Sequence, residues 1–130
     1  MKNNETLYRH LGYLFYSIAA ADKHINAAEI ETLKHAVTEK WLAIDENTDE
    51  FGTDTAHYIS IAFDYLTEVL PAADNAYKHF ETYYNNHKEV FTPALKSTIM
   101  ETALLIIHSF ASSNKAELNI LGRLVLLFQK

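Results

Sequence analysis

Three side chains that can bind a cation lie close together near the N terminus of the sequence. They are Asp22, His24 and Glu29, and they follow directly on the small residues Ala19–Ala21. Carboxylate oxygens suit Ca²⁺ and Mg²⁺, whereas an imidazole nitrogen shifts the preference toward Zn²⁺ or Mn²⁺. The same stretch also has a structural reading, because Asn26 and Glu29 have the spacing of a capping box that begins a helix. The sequence is compatible with both readings.

Sequence signatures of catalysis are missing. There is no His-Glu-x-x-His motif, no glutamate is followed by a histidine three residues later, and the three glycines lie too far apart for a phosphate-binding loop. The seven histidines are many for this length, but the sequence alone pairs none of them with a nucleophile. We therefore predict that the protein is not an enzyme. We expect no catalytic residue and no cofactor beyond a divalent cation (Ca, Mg, Mn or Zn).

Composition narrows the class of protein and of partner. The chain has 130 residues, no cysteine, 3 glycines and 2 prolines, which favours one helical domain (1–130) in a reducing, cytoplasmic setting. Its net charge of −6 comes from the N-terminal half, and no basic stripe is present. Nucleic-acid binding needs such a stripe, so we do not expect DNA or RNA as a partner. No apolar run is long enough for a membrane span.

The segment from Asp45 to Asp54 begins like a calcium-binding loop and then departs from that pattern. Its sixth position, which should be glycine, is Glu50, and its twelfth, which should be a bidentate glutamate, is Ala56. Because calcium needs that glutamate to complete its shell, we predict an acidic loop between two helices.

The spacing of apolar residues predicts an all-α bundle of about six helices. The predicted helices cover about 4–21, 26–44, 54–70, 72–87, 93–110 and a last helix from 114. The residues predicted to form buried faces are Tyr58, Ile59, Ala62, Phe63, Leu66, Val69 and Leu70 on the third helix and Leu118, Leu121, Leu124, Val125 and Phe128 on the last, whereas Glu31, His35 and Glu39 on the second are predicted to face solvent. Thr92 and Pro93 form a strong start signal for the fifth. This helix is apolar nearly all round at 103–107, so we predict that it is the central one, with His108 in the core.

Aromatic residues follow one stripe of the predicted fourth helix. The stripe contains Tyr77, Phe80, Tyr83 and Tyr84, with His87 in line. Core packing with tyrosine hydroxyls reaching water is one interpretation. A docking groove for a partner helix or a small ligand is the other.

The capping pattern occurs twice. Asn26 to Glu29 and Asn114 to Glu117 share the same chemistry, and each follows a long apolar helix that ends in small residues. This repeat predicts two pseudo-repeated helical hairpins, one at each end of the chain.

The motif Ala21-Asp22-x-x-Ile25-x-x-x-Glu29 resembles that of TerB-like domains, the tellurite-resistance TerB family. The length, the all-helical pattern and a degenerate second motif at Glu117 are similar to that family as well. The resemblance implies a helical bundle in a cytoplasmic bacterial protein, no established catalysis, and acidic motif residues linked to divalent cations. Lys23 stands where the motif has glycine, and Ser112-Ser113 stand where the second copy would have its acid.

These observations leave three hypotheses for function. The first is a TerB-like stress-response module that binds a divalent cation at Asp22, His24, Glu29 and Glu117, a protein partner, or both. The second is a structural or interaction domain that dimerises through an apolar face, such as that of the last helix or the tyrosine stripe of the fourth. The third is a small-molecule binder with its site between helices.

Overall fold

Helices make up nearly all of the chain that the computed structural model describes, which is residues 5–21, 27–45, 52–69, 72–108 and 115–129. Within these ranges there are six α-helices and no strand, which confirms the all-α prediction. The helices are α1 (Glu5–Ala20), α2 (Ala27–Asp45), α3 (Gly52–Val69), α4 (Ala73–Asn86), α5 (Pro93–His108) and α6 (Lys115–Phe128), with a short 3-10 helix at Lys88–Val90. None of the described helices is both long enough and apolar enough to cross a membrane.

The central helix of the bundle is α1. It packs most extensively against α3 and α4, and it also contacts α5 and α6. Its side chains are buried nearly all round the helix. The fully or almost fully buried ones are Leu7, Tyr8, Leu11, Leu14, Phe15, Tyr16, Ser17, Ile18 and Ala19.

The prediction that the fifth helix is central was wrong. Although α5 buries Ile99, Ala103 and Ile106, its neighbouring Leu104 and Leu105 remain 41% and 37% exposed. His108 is exposed and does not lie in the core. An apolar run shows that a helix has several apolar faces, but it does not show how many neighbours cover them.

Gly12 allows α1 and α3 to cross closely. A Cβ atom at this position would lie 2.6 Å from the Cβ of Ala62 and 3.2 Å from the carbonyl oxygen of Ile59. Because glycine has no Cβ atom, the backbones of α1 and α3 can approach each other closely at this point. This crossing fixes the position of α1 relative to α3.

Buried and surface contacts hold α2 against α3 and α5. Trp41 is buried, and its Nε1 donates a hydrogen bond of 3.2 Å to Oγ1 of Thr102 on α5. On the surface, Lys34 pairs with Asp64 of α3 at 2.9 Å. The buried ring of Trp41 and its satisfied N–H therefore attach α2 to α5, while its more extensive packing is against α3.

Local signals placed the start of α5 correctly. The backbone N–H of Leu95 donates to Oγ1 of Thr92 at 3.1 Å, which is the hydrogen bond of an N-cap residue, and Pro93 follows at the first helical position. The turns at 22–26 and 109–114 lie outside the described residues. The pseudo-repeated hairpins therefore stay a prediction.

The predicted apolar faces of α3 and α6 are confirmed only in part. Most of the predicted face of α3 is buried, but Val69 is 52% exposed. On α6, Leu124 is buried as predicted, whereas Val125 is 38% exposed and Ile120 and Leu127 complete the buried side. The sequence of α6 is apolar on several sides, so its periodicity does not identify a single face.

Candidate functional site

The predicted cation ligands are Asp22, His24, Glu29 and Glu117. Asp22 and His24 lie outside the described residues, and so do the side chains of Glu29 and Glu117, whose backbones belong to α2 and α6. The cation site therefore stays a prediction. Across the part of the chain that the structure describes, no group of three or more histidine, aspartate or glutamate side chains is arranged to hold a metal ion.

A row of alternating histidine and tyrosine rings lies between α1 and α4. We call it the histidine–tyrosine row, and it runs in space through His79, Tyr13, His10, Tyr83 and His87. The Tyr13 ring lies 5.3 Å from the rings of both His79 and His10. The Tyr83 ring is stacked on His10 at 4.4 Å and on His87 at 4.2 Å, with interplanar angles of 17° and 19°. The imidazoles of His10 and His87 are both nearly parallel to the Tyr83 ring and too close to it to fit side by side on one of its faces. The Tyr83 ring therefore lies between the two imidazoles.

Helical spacing on two helices produces this row. His10 and Tyr13 are three residues apart on α1, while His79 and Tyr83 are four apart on α4, with His87 four further on at its C-terminal end. Residues three and four apart share one face of a helix. Since α1 and α4 pack side by side, the two faces meet.

Hydrogen bonds to the backbone fix the tautomers of His10 and His87. Nδ1 of His10 lies 2.8 Å from the carbonyl oxygen of Thr6, and Nδ1 of His87 lies 3.0 Å from that of Tyr83. A carbonyl oxygen can only accept, so Nδ1 carries the proton in both neutral rings. Nε2 of each ring is then a bare acceptor, and it becomes a donor only when the imidazole is protonated.

Burial and neighbouring charges disfavour the charged form of His10. Burial is the largest cause that lowers the pKa of this imidazole, and positive charge at His79, His87 and Arg9 lowers it further. The hydrogen bond to Thr6 acts in the opposite direction. Burial also raises the pKa of the Tyr83 hydroxyl, to which the negative charge of Glu89 contributes. Tyr83 therefore remains a neutral hydrogen-bonding group at physiological pH.

The row forms one side of an open groove of about 890 Å³ between α1, α3 and α4. The opposite wall is largely apolar and comes from α3, through Tyr65, Leu66 and Val69. The remaining polar lining residues are Asn75, Lys78, Thr82 and Asn86. Among the described lining residues there is no aspartate or glutamate, although the chain as a whole carries a net charge of −6.

Sequence reasoning found only part of this site. Tyr83 and His87 belong to the predicted aromatic stripe of α4, for which a ligand groove was one interpretation. His10, Tyr13 and His79 were missed. The stripe at 79, 83 and 87 is visible in the sequence as a histidine–tyrosine–histidine repeat of four, but its partner on α1 becomes apparent only when the two helices are paired.

Compared with known proteins, the chain matches no family model, no curated protein and no solved structure. The TerB resemblance therefore stays a prediction, and a proposal for function depends on the geometry of the groove.

Proposed function

We propose that this protein is a ligand-binding helical module that takes a small aromatic molecule in the groove between α1, α3 and α4. The observation that carries the proposal is the combination of size and lining. The groove's volume of about 890 Å³ lies within the range of small-molecule sites, roughly 300–1,000 Å³. Such sites combine apolar and aromatic walls with a few polar groups that orient the ligand.

The lining suits a flat ring. Tyr65 and Val69 are 59% and 52% exposed, so they present apolar surface to the groove that no described neighbour covers. Tyr13 adds a further aromatic ring, whereas Tyr83, whose two faces are stacked against His10 and His87, can offer only its ring edge and its hydroxyl. A planar ligand can therefore gain apolar contact with α3 and ring contacts with α1 and α4.

Binding of naphthalene derivatives, followed in amide NMR spectra of the full chain, tests this proposal. We expect saturable shifts at residues 10–13 and 79–87. Tyr65→Ala should weaken binding because it removes an aromatic wall. Ile61→Ala is the matched control, since Ile61 is 56% exposed on the same helix, four residues earlier, and does not line the groove.

Two results would overturn the proposal. Neutral and anionic naphthalene compounds that cause no saturable shift in the groove would show that it is not a site for small aromatic ligands. Equal weakening by Tyr65→Ala and Ile61→Ala would show that the probes bind the α3 surface without using the groove.

A further inference from the structure

We propose that the groove selects anionic ligands and that protonation of His10, His79 and His87 switches this selectivity on. The inference rests on the proposed function and adds to it the charge of the ligand and the control of binding by pH. It starts from the contrast between an acidic chain and a groove whose described lining holds three histidines and Lys78 but no carboxylate. The chain as a whole repels an anion through its net negative charge, but that lining contributes no negative side chain.

The tautomers explain why protonation matters. Nδ1 of His10 and of His87 donates to a backbone carbonyl, which leaves Nε2 as a lone-pair acceptor in the neutral ring. An anion has no proton to offer that acceptor. When the ring gains a proton, Nε2–H becomes a charged donor, and hydrogen bonds of this kind are roughly twice as strong as neutral ones.

The surrounding ionisable groups determine how the switch behaves. Those near the three imidazoles are Arg9 and Tyr13 of α1, Tyr65 of α3, Lys78 and Tyr83 of α4, and Glu89 beyond it. Asp74 lies nearby on α4, but it is paired with Arg123 at 2.6 Å and with Lys78 at 3.2 Å. Positive charge on His79 and His87 disfavours a positive charge on His10. A bound anion offsets this repulsion and therefore favours protonation of His10.

Anion binding and protonation of the groove affect each other reciprocally. A ligand that binds the protonated groove more tightly must raise the proton affinity of the groove by the same factor. Because His10 resists protonation in the free protein, its charged form becomes populated only when pH falls or an anion arrives. Affinity for an anion should therefore rise as pH falls through the range in which histidine titrates.

A matched pair of probes tests the charge of the ligand. Naphthalenesulfonate and naphthalenesulfonamide carry the same naphthalene ring system, but only the sulfonate is charged, and it stays ionised at every pH used. We expect the sulfonate to bind at least about fivefold more tightly at about pH 5.5 than at about pH 7.5, within the usual range of coupling between sites. The affinity of the sulfonamide should change little.

Variants then assign the effect to the groove. His79 is exposed, so His79→Gln should leave the fold intact and reduce the pH dependence of sulfonate binding. His10→Gln should reduce it as well. His35→Gln is the matched control, because His35 is exposed on α2, pairs with Glu31 at 3.2 Å and lies outside the groove.

The outcomes separate the two proposals. If both probes bind the groove with equal affinity at both pH values, the groove is a ligand site but the anion-selective switch is wrong. If sulfonate binding keeps its full pH dependence in both groove variants, the dependence comes from the overall charge of the protein, and the switch is again wrong. If neither probe binds at either pH, the proposed function itself fails.

Discussion

On one side of α4, Phe80 and Tyr84 pack into a closed aromatic cluster with Phe91 and Phe128, whereas on the other side Tyr83 and His87 line an open groove. Phe80 and Tyr84 are 0% and 1% exposed. Tyr83 and His87 are only half-buried. A single aromatic stripe therefore supplies both core and site, and the neighbouring element decides which residue serves which purpose.

The closed side is covered by apolar rings from two other segments. Phe91 follows the 3-10 helix and lies 4.9 Å from the Tyr84 ring, and Phe128 at the end of α6 lies 5.3 Å from it. Lys96 completes this side by donating to the carbonyl oxygen of Phe128 at 3.1 Å. A cation placed at the last carbonyls of a helix is favourable because of the helix dipole.

The open side is covered only in part. Phe91 also lies 6.1 Å from the Tyr83 ring, but the other described rings that cover this side are polar. Through His10 and Tyr13, α1 contributes groups that combine an apolar ring with a polar tip. Such groups tolerate partial exposure, since the ring can stack while the polar atoms reach solvent or a ligand. The comparison teaches that an aromatic helical stripe does not by itself distinguish a core from a binding surface.

The largest expected effect comes from truncating one ring on each side of α4. Phe80→Ala should lower the free energy of unfolding by about 3–5 kcal/mol, because it leaves a cavity in the closed cluster. Tyr83→Ala should cost only about 1–2 kcal/mol, the value of its ring contacts in a half-open site. Urea unfolding at neutral pH measures both. Equal losses would mean that the groove side is as much a part of the core as the closed side.

A smaller effect is expected at the crossing that holds α1 against α3. Gly12→Ala should destabilise the fold by about 1–3 kcal/mol, because the new methyl group overlaps Ala62. Thermal unfolding provides the measurement. Gly122→Ala is the control: nothing lies within 4 Å of a Cβ there, so the better helix propensity of alanine should stabilise by about 1 kcal/mol.

A compensating change sharpens the test at Gly12. The double variant Gly12→Ala with Ala62→Gly removes the methyl group that the new one meets, and it should recover part of the lost stability. If the single Gly12→Ala variant is as stable as the parent chain, the close approach of α1 and α3 does not occur.

The pH dependence of stability should reveal the groove side without any ligand. The pKa of His10 is lower in the folded than in the unfolded chain, chiefly through burial, so between the two values the unfolded state binds more protons. Stability is therefore complete above the unfolded pKa of about 6.5 and falls as pH drops toward the folded value. Urea unfolding at a series of pH values should show a smaller loss in His10→Gln. His35→Gln should behave like the parent chain.

The smallest effect on the two sides of α4 is expected from changes between α1 and α2, at residues 22–26, which contribute no ring to the row. Amide NMR titrations with Ca²⁺, Mg²⁺, Mn²⁺ and Zn²⁺ should perturb residues 22–29 saturably, with Mn²⁺ seen as local line broadening. Asp22→Ala should abolish the perturbation, because it removes a carboxylate ligand. If the parent chain shows no effect below millimolar metal, the turn contains capping chemistry alone.

Local chemistry made the helices predictable. Thr92 and Pro93 marked the start of α5 to the residue, and the predicted ends of α1 and α4 lie within one residue of the observed ones. The exposed stripe of Glu31 and His35 on α2 was also predicted correctly. In each case the signal and the structure lie within a few residues of each other, so no distant contact is needed to decide them.

Faces and neighbours were less predictable. The apolar residues of α5 suggested a central helix, yet Leu104 and Leu105 remain partly exposed, while α1 occupies the centre. On α6 the buried side contains Ile120 and Leu127, which the periodicity did not select. Where a helix is apolar on several sides, only the arrangement of its neighbours determines which side loses contact with water.

Residue types and spacing alone predicted an all-α fold of about six helices and an aromatic stripe on the fourth, and the described part of the chain contains both. The capped turn with its cation site stays a prediction. The groove, however, required the tertiary structure, because His10 and Tyr13 are separated from Tyr83 by some seventy residues of sequence. Spacing rules reach only three or four residues along a helix. Only the packing of α1 beside α4 places Tyr83 between two imidazoles, and that packing brings together residues that no local spacing rule connects.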